Sequence, residues 1–143
     1  MNMNDSTSIL HDGNHSLVVA NGIIHTFDGR GVSDLLRLLT EDVNLLHGAS
    51  VADKVVGKAA AALMALAKVG DVYADVISIP ALDLLKANGV KTAYGQVVPH
   101  IINRTGTGLC PLETRCMPCT TPEECIGQIQ TFVKEMKTKN FKG

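Results

Sequence analysis

Apolar residues change their spacing several times along the chain, and each change marks a predicted element. Residues 1–15 are polar and predict a flexible N-terminus; residues 16–143 predict a single domain. Two short β-branched runs, "LVVA" and "IIHTF", then flank Asn21-Gly22. Such a pairing predicts a β-hairpin with a type I′ turn, in which both central residues take positive φ. "DGRG" (Asp28–Gly31) turns the chain out of it. In "VSDLLRLLTED", Leu35, Leu36, Leu38 and Leu39 share one broad helical face. The segment "SVADKVVGKAAAALMALAKVG" from Ser50 predicts a long helix. Ser50 and Asp53 form an S-x-x-D capping box at its start, and Lys54 and Lys58 lie one turn apart on one face. Its valines and Ala59–Ala62 make it apolar on most sides, as in a helix packed against a sheet.

Beyond it, "DVYADVIS" (Asp71–Ser78) predicts a strand. "IPALDLLKANGV" predicts a short helix, with Pro80 in its first turn and Gly89 at its C-terminal cap. "VKTAYGQVVP" is a further strand, and the stretch from His100 to Thr120 a long loop rich in Gly, Thr and Pro. "TPEECIGQIQTFVKEMK" closes the chain as a helix capped by Thr121, with Pro122 in the first position and Glu124 completing a capping box. The order β-β-α-α-β-α-β, loop, helix predicts an α/β layered protein with a sheet of mixed direction and right-handed crossovers.

Composition narrows the classes of function. A chain of 143 residues buries roughly two thirds of its unfolded surface without staples. A net charge of −1 gives no electrostatic case for nucleic acid or an anionic membrane, so neither is expected as a partner. Aromatics at 3%, with no Trp, leave few platforms for stacking bases. No run reaches the ~20 apolar residues of a membrane span, and the N-terminus lacks the basic and apolar regions of a secretory signal. A cytoplasmic location is expected, where thiols stay reduced.

Three stretches carry a resemblance: "DGRGV" (Asp28–Val32), "GASVADKVVGKAAA" (Gly48–Ala61) and, most specific, "NRTGTGLCPLE" (Asn103–Glu113). They resemble domain-of-unknown-function family 1893 from about Ser16 to Glu113. The resemblance implies a cytidine deaminase-like fold, a three-layer arrangement with a mixed β-sheet flanked by helices, and no known reaction. Zinc deaminases place H-x-E and P-C-x-x-C at two neighbouring helix starts. "SVADKVVGKAA" has no His, Cys or Glu, and in "IPALDLL" Ala81 and Leu84 stand where the two cysteines would be. Neither alanine nor leucine binds zinc, so hydrolytic deamination through that centre is excluded.

The two helix starts still point partial positive charge towards one cleft. Lys54 and Lys58 add full charges, and Arg104 sits on the glycine loop of Asn103, Arg104, Thr105, Gly106, Thr107 and Gly108. That set, with Ser50 and Asp53, suits an anionic small molecule such as a nucleotide or sugar phosphate. The bland alternatives are surface lysines that snorkel, a loop that only turns a corner, and a helix-capping Asp53. "NRTGTG" lacks the G-x-x-x-x-G-K-[ST] pattern of a phosphate-binding P-loop.

All four cysteines lie late in the chain, as C-x5-C-x2-C-x5-C. Cys110, within the motif, is a candidate catalytic nucleophile or redox thiol if Arg104 or Lys58 lowers its pKa; otherwise it is an inert core residue. Cys110, Cys116, Cys119 and Cys125 together offer a zinc or iron–sulfur site, but with one C-x2-C knuckle the spacing fits neither well, and no cofactor is favoured. Cys125 also lies on the apolar stripe Ile129, Phe132, Val133 and Met136 of the last helix. His11, His15, His25 and His47 are scattered and read as surface or loop residues. The functions left open are a small-molecule-binding domain, a metal- or thiol-dependent module, and a homo-oligomer built on apolar helices.

Overall fold

The structure, a computed structural model, describes the backbone of residues 3–28, 32–102 and 111–142, and the side chains of those lying between 7 and 135. Among them run α1 (Met3–Asp12), β1 (Leu17–Asn21), β2 (Ile23–Phe27), α2 (Ser33–Glu41), α3 (Val43–Leu46), β3 (Ser50–Val56), α4 (Lys58–Leu66), β4 (Asp71–Ser78), α5 (Ile79–Ala87), β5 (Lys91–Val98), α6 (Pro111–Cys116) and α7 (Pro122–Lys142). The five strands form one mixed sheet in the order β2-β1-β3-β4-β5. β1 runs antiparallel to β2 and β3, while β3, β4 and β5 are parallel and joined by α4 and α5.

Helices flank both faces of the sheet. On one, Leu17, Val19, Val51, Val56, Val72, Ala74 and Ile77 meet α2, α4, α5, α6 and α7 in the main core. Leu63, Met64, Leu85, Cys125 and Ile129 from the helices are fully buried there. On the other face α1 covers Val18 and Ala52 with Leu10, in a satellite core rimmed by Ile9, Ile24 and Tyr73. The polar opening of the chain thus holds a helix with one fully buried leucine, not a flexible tail. Three apolar side chains, Ile9, Leu10 and the facing Val18, are enough to dock it.

The central strand differs most from its sequence pattern. The residues Ser50–Val56 do not begin a helix; they are β3, and α4 starts at Lys58 after Gly57. The apparent capping box therefore does not exist. Val51/Val55 and Ala52/Val56 happen to repeat at the helical spacing of four. Of these four only Val51 and Val56 face the main core, five residues apart, because the strand's inside–outside alternation is interrupted. Pairing skips Lys54 opposite Asp75 and Asp75 opposite Gly95, then resumes at Val55↔Val76 and Val76↔Gln96. Before this line Val51, Val72 and Ala74 face the main core; beyond it Val56 and Ile77 do, so both strands change parity together. A Cβ on Gly95 would stand 3.0 Å from the Asp75 carbonyl oxygen, so the line passes through a residue without one.

Two smaller departures have local causes. The hairpin forms, but Asn21 pairs with Ile23, and of the two turn residues only Gly22 takes a positive φ (80°). Asn21 keeps extended backbone and donates its amide instead to the carbonyls of Asn44, Leu45 and His47, tying β1 to α3. The stretch between His100 and Thr120 contains a helical turn and a half, α6, opened by Pro111. β4, α5 and α7 fall where the sequence puts them. Ser78 caps α5 by accepting from the Ala81 N–H, and the Glu124 N–H donates to the Thr121 hydroxyl at the start of α7.

Candidate functional site

The carboxyl ends of β3 and β4 deliver two helix starts side by side, α4 at Lys58 and α5 at Ile79. In open α/β sheets this end of the parallel strands is where ligands bind. Gly57 precedes α4 and has no side chain with which to cap it. The cap comes from a distance. Glu113, on α6 and 2% exposed, accepts at Oε1 from the Lys58 N–H (2.8 Å) and the Ser78 hydroxyl (3.1 Å). Its Oε2 accepts from the Ile101 N–H (2.7 Å). A Cβ on Gly57 would lie 3.4 Å from Glu113 Oε1 and 3.3 Å from the Ile101 side chain, so glycine there leaves space for the carboxylate. Anions are stabilised at helix N-termini, and this one is supplied by the chain itself.

Lys58 is held at both ends. While its N–H binds Glu113, its ammonium donates to the carbonyls of Met117 (2.9 Å) and Cys119. The side chain is buried, and its charge is met by the carbonyls that follow α6. Lys58, Ser78 and Glu113 are the buried polar side chains of the described residues. They form one hub in which α6 is fastened across the starts of α4 and α5.

The other expected site residues are dispersed. Ser50 begins β3, at the end of the strand remote from the hub, ~20 Å away at strand rise. Lys54 is on the interruption line and donates to Asn14 Oδ1 (2.5 Å), so Lys54 and Lys58 do not share a helical face. Asp53, half-buried in the central strand, accepts from the Val55 N–H (3.3 Å). Burial pushes its carboxyl up to about 7, Asp75 adding to the rise and two backbone N–H groups opposing it. Asn103, Arg104, Thr105, Gly106, Thr107, Gly108 and Cys110 lie outside the described residues.

Cys116, Cys119 and Cys125 are buried free thiols gathered beside Lys58. Burial holds Cys116 up at about 11 and Cys125 at about 12; Cys119 adds to both rises and Cys116 to that of Cys125, while a hydrogen bond with Cys125 lowers Cys116. The Lys58 charge opposes both shifts. Among the described residues no three His, Cys, Asp or Glu side chains are arranged to hold a metal ion.

Sequence reasoning missed Glu113 and the Nδ1 of His100, a buried ring nitrogen with no hydrogen-bond partner among the described residues, one residue from Ile101. The available signal was a lone acid behind Pro111 and Leu112 at the end of the most specific motif. On the opposite face of the sheet lies a more open polar group. There His11 Nε2 and Asp75 Oδ1 are 2.7 Å apart, and Tyr73, stacked edge-on to His11, has its hydroxyl pKa raised by burial and by Asp75.

A five-stranded mixed sheet with α4 and α5 crossing over one face defines a layered α/β protein, and none of its described helices is long and apolar enough to cross a membrane. The chain belongs to the DUF1893 family, a domain of unknown function whose model matches residues 5–133. It is similar to the crystal structure of the DUF1893 family protein TM1506 from Thermotoga maritima, at 29% identity and a TM-score of 0.84, over 90% of this chain and 88% of that one. No curated protein matches it.

Proposed function

We propose that this is a small-molecule-binding protein on a cytidine deaminase-like scaffold, without zinc-dependent deaminase chemistry, whose pocket adjoins the hub at the carboxyl ends of β3 and β4. The observation that carries the reading is His100: a buried ring nitrogen without a partner among the described residues costs free energy unless a ligand or water meets it, and the next residue, Ile101, donates its N–H to the buried Glu113. The first turn of α4, Lys58–Ala61, offers no zinc ligand. Ala81 and Leu84 are buried apolar residues in the first turns of α5. Glu113 already takes the Lys58 N–H of α4 and Ser78 caps α5, so an anionic ligand would draw its charge complement from Arg104 and the Asn103–Gly108 motif, with Cys110 as the thiol to test for chemistry.

Native mass spectrometry and thermal shift with a panel of nucleotides and sugar phosphates test this. A binder that loses at least tenfold affinity in both His100→Ala and Arg104→Ala supports the site. Failure of the whole panel to bind, or a binder indifferent to both substitutions, overturns it. The second reading, a metal- or thiol-dependent module of Cys110, Cys116, Cys119 and Cys125, draws support from the gathering of three thiols at one place. Stoichiometric zinc or iron in protein purified without chelator would favour it over the ligand reading.

A further inference from the structure

Three of the chain's four cysteines, Cys116, Cys119 and Cys125, meet at the elbow between α6 and α7. Cys125, one turn into α7, interacts with both Cys116 and Cys119. Cys116 and Cys125 are fully buried, whereas Cys119 keeps 8% of its surface exposed. Cys119 also supplies one of the two carbonyls that hold the Lys58 ammonium, while the Lys58 N–H holds Glu113. A change at this elbow therefore reaches the start of α4 through Lys58, and the start of α5 through Glu113 and Ser78.

We propose that Cys119 and Cys125 form a reversible disulfide by exchange with a small-molecule disulfide of the glutathione type, and that this bond loosens the hub through Lys58. Cys119, the one of the three residues that keeps some exposed surface, gives up its proton and attacks one sulfur of the small disulfide. A mixed disulfide forms and one small thiol leaves, carrying the proton. The Cys125 sulfur, in contact with Cys119, then attacks the Cys119 sulfur and expels the second small thiol. Two protein thiols are oxidised by two electrons and one small disulfide is reduced to two thiols. Closing the bond draws the two Cα atoms to within the ~4.4–6.8 Å that a disulfide tolerates. That rotates the Cys119 peptide and with it the carbonyl facing Lys58. Burial keeps the Cys125 thiol protonated at neutral pH, so the exchange is slow there and accelerates as the pH rises.

The test uses the unmodified full-length protein. It is incubated with glutathione disulfide, alkylated, and mapped by peptide mass spectrometry, with hydrogen exchange followed in parallel. The expected result is a Cys119–Cys125 linkage that dithiothreitol reverses, together with at least tenfold faster exchange of the Lys58 amide. Thiols at 119 and 125 that remain free and alkylate on unfolding overturn the proposal. So does a linkage confined to other cysteines, or a Cys119–Cys125 bond that leaves Lys58 exchange unchanged. None of these outcomes depends on whether the pocket binds a ligand.

Discussion

Lys54 and Lys58 stand four residues apart and have opposite circumstances. Lys58 is buried, its ammonium enclosed by two carbonyls and its N–H by a carboxylate. Lys54 is at the interruption of the sheet, where it touches one asparagine beside the open pair His11–Asp75. A buried polar group left without its partner forfeits its solvation with nothing in return, whereas an exposed one returns to water. Near-identical residues should therefore differ several-fold in what their loss costs. The lesson is that charge in this chain marks a structural lock where it is enclosed and a surface contact where it is not.

The hardest blow to that contrast is Glu113→Ala, which leaves the Lys58 N–H, the Ser78 hydroxyl and the Ile101 N–H without an acceptor. Urea unfolding should show a loss of about 3–5 kcal/mol. A loss below 1 kcal/mol would mean that water fills the hub and the lock does not exist. Next comes Lys58→Met, which keeps much of the stem but abandons the carbonyls of Met117 and Cys119; about 2 kcal/mol is expected from the same measurement.

Asp53 gives a smaller effect that depends on pH. Its folded pKa is raised above the value of an unfolded aspartate, so the folded state favours the protonated form. The stability it contributes is complete below pH ~4 and is lost as the pH rises towards about 7. The effect is bounded at roughly 4 kcal/mol and reduced by water at the half-buried carboxyl. Asp53→Asn should flatten the stability–pH curve between those limits, and a curve unchanged by the substitution would place the titration elsewhere. Smallest are Lys54→Ala and His11→Ala, each expected to change stability by no more than about 1 kcal/mol in moderate salt. If Lys54→Ala matches Lys58→Met, enclosure is not what separates the two lysines.

Elements governed by local chemistry could be read from the sequence. Ser78 and Pro80 announce α5, Thr121 and Pro122 announce α7, and the alternating run Asp71–Ser78 announces β4. The family membership also follows from short motifs. β3 could not be read, because a parity change in mid-strand sets its core-facing valines, Val51 and Val56, an odd number of residues apart and so breaks the alternation, and the accidental S-x-x-D box completed the imitation of a helix. α1 was obscured by its polarity, since a single fully buried leucine fastens it. In the candidate site, Lys58 and the start of α5 were legible, but the other helix start was expected at Ser50 rather than Lys58, and the anion beside it was not legible. Glu113 arrives from 55 residues away in sequence, and nothing local marks a carboxylate as an intramolecular cap. Ser50 and Lys54 were grouped with Lys58 only through the helix that proved to be a strand.

The position of Glu113 in the chain has a consequence for synthesis. Reading from the N-terminus, β2 pairs with β1, β3 with β1, β4 with β3 and β5 with β4, so every strand finds its neighbour already made. The sheet can assemble in the order of translation, and Ser78 caps α5 locally, but α4 then waits with the Lys58 N–H unanswered until α6 emerges. The growing chain thus passes through a nearly complete sheet that cannot yet be closed, and the residue that closes it is among the last fifth or so to be made.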